Sequence, residues 1–286
     1  MVFTKKRIIA LSASASLCLV LISSVHATPL WGSGFAGAGG APLFDVDPAT
    51  GQASNPRPTG IDRLVGIAFA PGPAGGTLYG LSNSTAAADP NSLFSIDPAT
   101  GTSQLIGATG LTDITEGDLA CDPATGTLYG VWNLGQGRRQ LFTVDTETGA
   151  ASVVPGSLLG DPSGMAFDAG GTLFVIDTSL QELSTVDKVT GQILTTVPLS
   201  EPLGSTAGMD VDPATGTFYI ADGGSDGTDM LYTLHPSTGV LTEVGPLGVD
   251  TGLAGLAFVP EPVTALLLAF GAAMCVSSRC RRPSAQ

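Results

Sequence analysis

The chain has 286 residues, 43% of them hydrophobic and 6% aromatic, with 39 glycines and a formal net charge of −14. That charge repels phosphate backbones and argues against nucleic-acid binding, and four cysteines in so long a chain do not make a disulfide-stapled scaffold. Abundant glycine with few aromatics points to many short turns and not to one large aromatic cleft.

The first segment carries Lys5, Lys6 and Arg7, an apolar run over residues 8–22, and an exit at Val25-His26-Ala27. A basic start, a short apolar run and a small residue at the exit form a secretory signal, with cleavage by signal peptidase after Ala27. The run is shorter than the ~20 residues a spanning helix needs. Cys18 lies in mid-run behind the bulky Leu17, which does not suit lipid attachment. A signal helix is therefore expected over residues 1–27, with the following chain exported. Taken without residues 260–286 as well, the exported part (28–259) has five Lys or Arg against 24 Asp or Glu, a net charge of −19. Its one cysteine, Cys121, leaves no intrachain disulfide, so a buried core must stabilise it.

The middle of the chain repeats. Leu43-Phe44-Asp45-Val46-Asp47-Pro48-Ala49-Thr50-Gly51 returns in related form at 93–101, 141–149, 183–191 and 231–239, with starts 50, 48, 42 and 48 residues apart. A second motif alternates with it, clearest at 117–130 and present again at 66–80, 164–175 and 208–220. Each motif reads as a β-hairpin. A short alternating strand leads to Asp-Pro-Ala-Thr-Gly, where Asp accepts a backbone N–H, Pro presets φ, and Gly takes the left-handed conformation that returns the chain. Two hairpins per repeat make four strands in about 46 residues, the size of one β-propeller blade.

The ends of the array complete each other. Leu30-Trp31-Gly32 matches Leu78-Tyr79-Gly80, so the first repeat lacks its opening strand, while Gly255-Leu256-Ala257-Phe258 is an opening strand with no repeat after it. The expected fold is all-β: a five-bladed β-propeller closed by pairing of the last strand into the first blade, which hides the sheet edges. An open β-solenoid is the alternative, and it leaves both half-repeats unexplained.

In such a ring the uniform Asp-Pro-Ala-Thr-Gly turns share one face, where their aspartates read as turn formers. Variable loops share the other face, within blades at 82–91, 133–140, 177–181 and 222–229, and between blades at 109–116, 156–163 and 201–206. Variation on a fixed scaffold makes that face the candidate binding site. Trp132, Asn133, Arg138 and Arg139 put an aromatic, an amide and the densest positive charge of the domain there, suited to a sugar or a carboxylate, or else to a solvated loop. Asp222, Asp226 and Asp229 offer hard oxygen ligands for Ca²⁺, although their spacing is not that of an EF-hand and a flexible polar loop is the plainer reading.

Catalytic constellations are missing from the sequence. His235 is the sole histidine after the signal and stands at a turn, so no His/Cys metal cluster or Ser-His-Asp set can be assembled. Cys121 stands where neighbouring copies carry Phe69 and Phe167, which marks it as a core residue. At Thr217-Phe218-Tyr219-Ile220-Ala221-Asp222 the chain broadly resembles propellers of the NHL and lactonase type, without their evident ring of metal-binding Glu, Asn and Asp.

At the far end, Val259-Pro260-Glu261-Pro262 precedes an apolar run over residues 263–276, followed by Arg279, Cys280, Arg281 and Arg282. The run is short for a permanent span, and the arginines would hold that end in the cytoplasm. This arrangement resembles the PEP-CTERM sorting signal. The resemblance implies a hydrophobic helix held transiently in the inner membrane of a Gram-negative bacterium, with Pro260, Glu261 and Pro262 recognised by an exosortase and Arg279, Arg281 and Arg282 as the basic stop. Val263 stands where Ser or Thr is common, and residues 283–286 extend past the arginines. The expectation for the whole is an exported cell-surface or matrix protein whose propeller is a non-catalytic binding or structural module for a glycan or a surface protein. A carboxylate-based hydrolase or lyase, with Ca²⁺ as an optional aid, is the alternative.

Overall fold

The computed structural model describes residues 28–259, apart from 73–74, 116, 136–137, 157, 205–206, 224–228 and 250–251. Residues 1–27, expected to be a signal segment, and 260–286, expected to be a sorting tail with Pro260, Glu261, Pro262, Arg279, Arg281 and Arg282, lie outside the described residues.

The chain enters through β1 (Leu30–Gly34), β2 (Pro42–Val46) and β3 (Ala53–Pro58). The second blade follows as β4 (Leu64–Ala70), β5 (Thr77–Ser82), β6 (Ser92–Ile96) and β7 (Ser103–Ala108). The third comprises β8 (Leu119–Cys121), β9 (Leu128–Gly135), β10 (Arg138–Val144) and β11 (Ala151–Val153), with the two-residue β12 (Leu158–Leu159) added beside β10. β13 (Pro162–Phe167), β14 (Leu173–Asp177), β15 (Glu182–Val186) and β16 (Ile193–Pro198) form the fourth blade. The fifth is β17 (Ala207–Val211), β18 (Phe218–Asp222), β19 (Met230–His235) and β20 (Val240–Pro246).

The last strand, β21 (Leu253–Phe258), returns to pair with β1 and completes the first blade in the order β21-β1-β2-β3. Leu30 faces Phe258, Trp31 faces Ala257 and Gly32 faces Leu256 in an antiparallel register. The innermost strands β4, β8, β13, β17 and β21 lie side by side around a closed circle, β21 again beside β4. The architecture is a five-bladed β-propeller, and both expected half-strands meet in the closing blade.

The turns that set this geometry share one construction. At the β2–β3 corner the Asp47 carboxylate accepts the Ala49 N–H at 2.9 Å and the Thr50 hydroxyl at 2.8 Å, and Gly51 takes φ +81°. Asp97, Asp122, Asp145, Asp187 and Asp212 each accept a backbone N–H two residues ahead in the same way. The turn aspartates are thus bound locally, as the sequence pattern requires.

The core is divided into five apolar clusters, one in each seam between neighbouring blades. Each seam holds fully buried side chains, such as Leu43, Leu81, Met165, Ile176 and Leu231 in turn, worth roughly 1.5–3 kcal/mol apiece by burial. Close approach of the inner strands needs glycine: a Cβ on Gly208 would meet the Gly255 backbone at 2.7 Å.

Candidate functional site

Stacking the five inner strands shows which side chains the ring delivers to its axis. One layer reads Gly66, Asp118, Gly164, Gly208 and Gly255, and the layer two residues further on reads Ala68, Ala120, Ala166, Asp210 and Ala257. Two blades break the small-residue rule, each with an aspartate.

Asp118 is 1% exposed. Its Oδ1 accepts the Leu119 N–H at 2.8 Å, its Oδ2 accepts the Met209 N–H at 3.2 Å from a blade 91 residues away, and Met165 of the fourth blade donates a further backbone N–H. Burial pushes its pKa well above the usual carboxylate range, and the nearby Asp210 adds to that push against the pull of the N–H donors. Asp118 is a buried plug that ties three blades together at the axis.

Asp210 sits nearer the turn face. Its Oδ1 accepts the Val211 N–H at 2.8 Å and its Oδ2 accepts the Phe258 N–H at 2.6 Å. Desolvation by the surrounding ring pushes its pKa up to about 7, despite those two donors. The surface it retains faces a cavity of about 190 Å³ on the axis. Each blade contributes the same inner-strand position to the cavity wall: Phe69, Cys121, Phe167, Val211 and Phe258. Asp168, Asp212 and the turn prolines Pro71, Pro123 and Pro213 also line it. Cys121 is half-buried here, and burial, with the charges of Asp122 and Asp210 in support, pushes its thiol up to about 12. Such a thiol is not a nucleophile at neutral pH. On the same face Lys188 Nζ bonds Asp122 Oδ2 at 2.6 Å and lies 5.5 Å from the centroid of the Phe167 ring.

The loop face is organised differently. The register of β9 and β10 places Asn133 opposite Arg139 and Trp132 opposite Gln140, so the four residues singled out there do share one hairpin. Three of them can be followed as side chains. Trp132 is half-buried and its indole N–H donates to the Thr112 carbonyl. Arg139 is 8% exposed and forms an ion pair with Asp161. Arg138 is exposed, while the Asn133 side chain lies outside the described residues. Trp132 and Arg139 therefore spend polar groups inside the protein, and Arg138 is the most exposed of the three.

Two of the three aspartates read for Ca²⁺ likewise accept main-chain donors. Asp222 Oδ1 accepts the Gly204 N–H at 2.7 Å, and Asp229, 5% exposed, accepts the Gly252 N–H at 3.0 Å through Oδ2. Both clamp interblade loops, and Asp226 lies outside the described residues. Among the described residues no group of three or more His, Cys, Asp or Glu is placed to hold a metal ion. His235 stays at its turn, with Ser237 Oγ 3.2 Å from Nδ1.

The axial carboxyls were not singled out by motif reading. Their signal is an exception within a pattern: once the copies are stacked, Asp118 replaces a glycine and Asp210 an alanine.

Ring closure and axial layering make this a protein of the β-propeller class. No family model matches the chain and no curated protein does. Among solved structures, a protein of unknown function from Bacteroides caccae superposes with a TM-score of 0.51 at 11% identity, covering 82% of this chain and 100% of that one. The periplasmic gluconolactonase PpgL of Pseudomonas aeruginosa gives 0.46 at 12% identity over 82% of this chain and 99% of its own. TolB from Acinetobacter baumannii gives 0.47 at 14% identity, over 78% of this chain and 54% of that chain. At these identities the likeness is one of fold.

Proposed function

We propose that the protein is an exported, surface-sorted propeller that binds an extracellular glycan or protein through its loop face and performs no chemistry there. The observation that carries this is the unequal division of the two faces. One face repeats the same aspartate-clipped turn, while the other bears dissimilar loops on a rigid ring. The chain leaves β21 at Val259, whose N–H bonds the Pro29 carbonyl, beside the turn-face cavity that Phe258 lines. A tail held in the inner membrane through residues 260–286 would therefore leave the turn face toward the membrane and the loop face outward. The net charge of the ring keeps it off anionic lipid and leaves neutral glycans, or proteins with basic patches, as partners.

The test is retention of matrix glycans and surface proteins by the full chain in mild detergent. Arg138→Ala should weaken retention severalfold, and Asp187→Ala on the turn face should leave it unchanged. Equal retention by both variants, or none by the parent, rejects the loop face as the binding surface.

A second reading, a carboxylate hydrolase, is favoured by one feature: Asp210 sits at a cavity with a pKa near 7, where a carboxyl can serve as general acid. Lactone or glycoside turnover abolished by Asp210→Asn would establish it, and silence across both substrate classes would retire it.

A further inference from the structure

The cavity on the turn face is used by neither end of the sorting reading, and it has the features of a built site. Its walls come from all five blades, so its shape is set by ring closure and not by a flexible loop. Three of the five wall positions are phenylalanines, and two of the rings are fixed by tilted contacts at 5.3 Å, Phe167 on Tyr129 and Phe258 on Tyr219. Its volume of about 190 Å³ exceeds the ~150 Å³ that suffices for benzene in an apolar cavity. The charged residues that line it, Asp168, Asp210 and Asp212, are all acidic. An ammonium group already rests against this aromatic wall, since Lys188 Nζ lies over Phe167 while its charge is answered by Asp122.

We propose that the axial cavity is a binding site for a compact aryl- or alkylammonium ligand, its apolar body among Phe69, Phe167 and Phe258 and its cation directed to the Asp210 carboxylate. An apolar body of this size gains burial among the rings, and a cation gains both the ring faces and a carboxylate in a desolvated setting. The titratable groups around Asp210 are Asp118 and Cys121 of the third blade, Asp168 of the fourth and Asp212 of its own turn; the cation on that face, Lys188, is taken by Asp122. A ligand cation therefore favours the ionised form of Asp210, and its binding releases a proton near neutral pH and strengthens as pH rises through about 7. The site is independent of the loop-face reading, because the two lie on opposite faces.

Calorimetry on the full chain in mild detergent tests this with 2-phenylethylammonium and its neutral counterpart 2-phenylethanol. At pH 8 the amine should bind about tenfold or more tightly than the alcohol, and at pH 5.5 that preference should shrink. Asp210→Asn should remove the preference and the proton release. Cys121→Phe places in the third blade the residue found at the same position in three others, fills the cavity, and should abolish binding of both probes while preserving the thermal transition. Binding unaffected by Cys121→Phe, equal affinity for the two probes at pH 8, or no binding of either at millimolar concentration overturns the proposal. Should Asp210→Asn fail to fold, the Cys121→Phe result and the pH dependence of the parent decide it.

Discussion

The rim of the ring and its axis use the same residue for opposite purposes. At the turns, Asp47, Asp97, Asp145 and Asp187 sit in solvent and accept local N–H and hydroxyl donors, which hold their carboxyls below the usual range. At the axis, Asp118 and Asp210 also accept main-chain donors, yet desolvation outweighs those bonds and pushes both carboxyls up. Hydrogen bonds alone thus do not decide the protonation state; the water left around the group does. An aspartate in a propeller sequence carries little meaning until its layer in the blade is known.

The contrast can be broken most sharply by pH. A carboxyl whose folded pKa lies above its unfolded value stabilises the fold below the unfolded pKa, and that contribution is lost as pH rises through the folded one. For Asp210, raised from 3.8 to about 7, the loss amounts to roughly 4 kcal/mol between pH 4 and pH 8. Chemical denaturation across that range should show a decline in the parent that is smaller in Asp210→Asn, where Asp118 alone of the axial pair still contributes. Equal slopes would show that Asp210 is not desolvated in the folded state.

Asp118→Ala comes next. It deprives the Met165 and Met209 N–H groups of their acceptor at the buried axis, at a cost of about 3 kcal/mol. For a domain of this size that is a fall of roughly 6–12 °C in Tm by calorimetry. The smallest effect belongs to the rim. Asp47→Ala removes one turn clip among several and should lower Tm by well under half the Asp118→Ala value. The depressed turn carboxylates act at the other end of the pH scale. Their stabilisation is present at neutral pH and is lost in acid, as pH falls below the ordinary Asp value through their folded pKas. A turn variant as damaging as Asp118→Ala would mean that the rim, and not the axis, fastens the ring.

Much of the fold was legible because a blade is a local object. Its hairpins join residues a few positions apart, so the spacing of Leu-Phe-x-Val-Asp-Pro-Ala-Thr-Gly states both strand and turn, and the unpaired halves at Leu30 and Leu256 state the closure. The loop face was legible in part. Trp132 and Arg139 do stand beside each other's strand partners, but the sequence does not show that their polar groups are taken by Thr112 and Asp161. Asp222 and Asp229 were visible as oxygen donors, whereas the N–H groups of Gly204 and Gly252 that occupy them come from neighbouring loops.

By itself, then, the sequence determined the repeat, the number of blades, the chemistry of the turns and the strand that seals the ring, because each is written in near neighbours or in copies of one pattern. Only the tertiary structure decided that Asp118 reaches Met209 across the axis and that residues from all five blades, three of them phenylalanines and three aspartates, make one cavity on the turn face. The axis draws one residue from each blade, and no local rule of propensity or spacing governs positions whose neighbours exist only once the circle is complete.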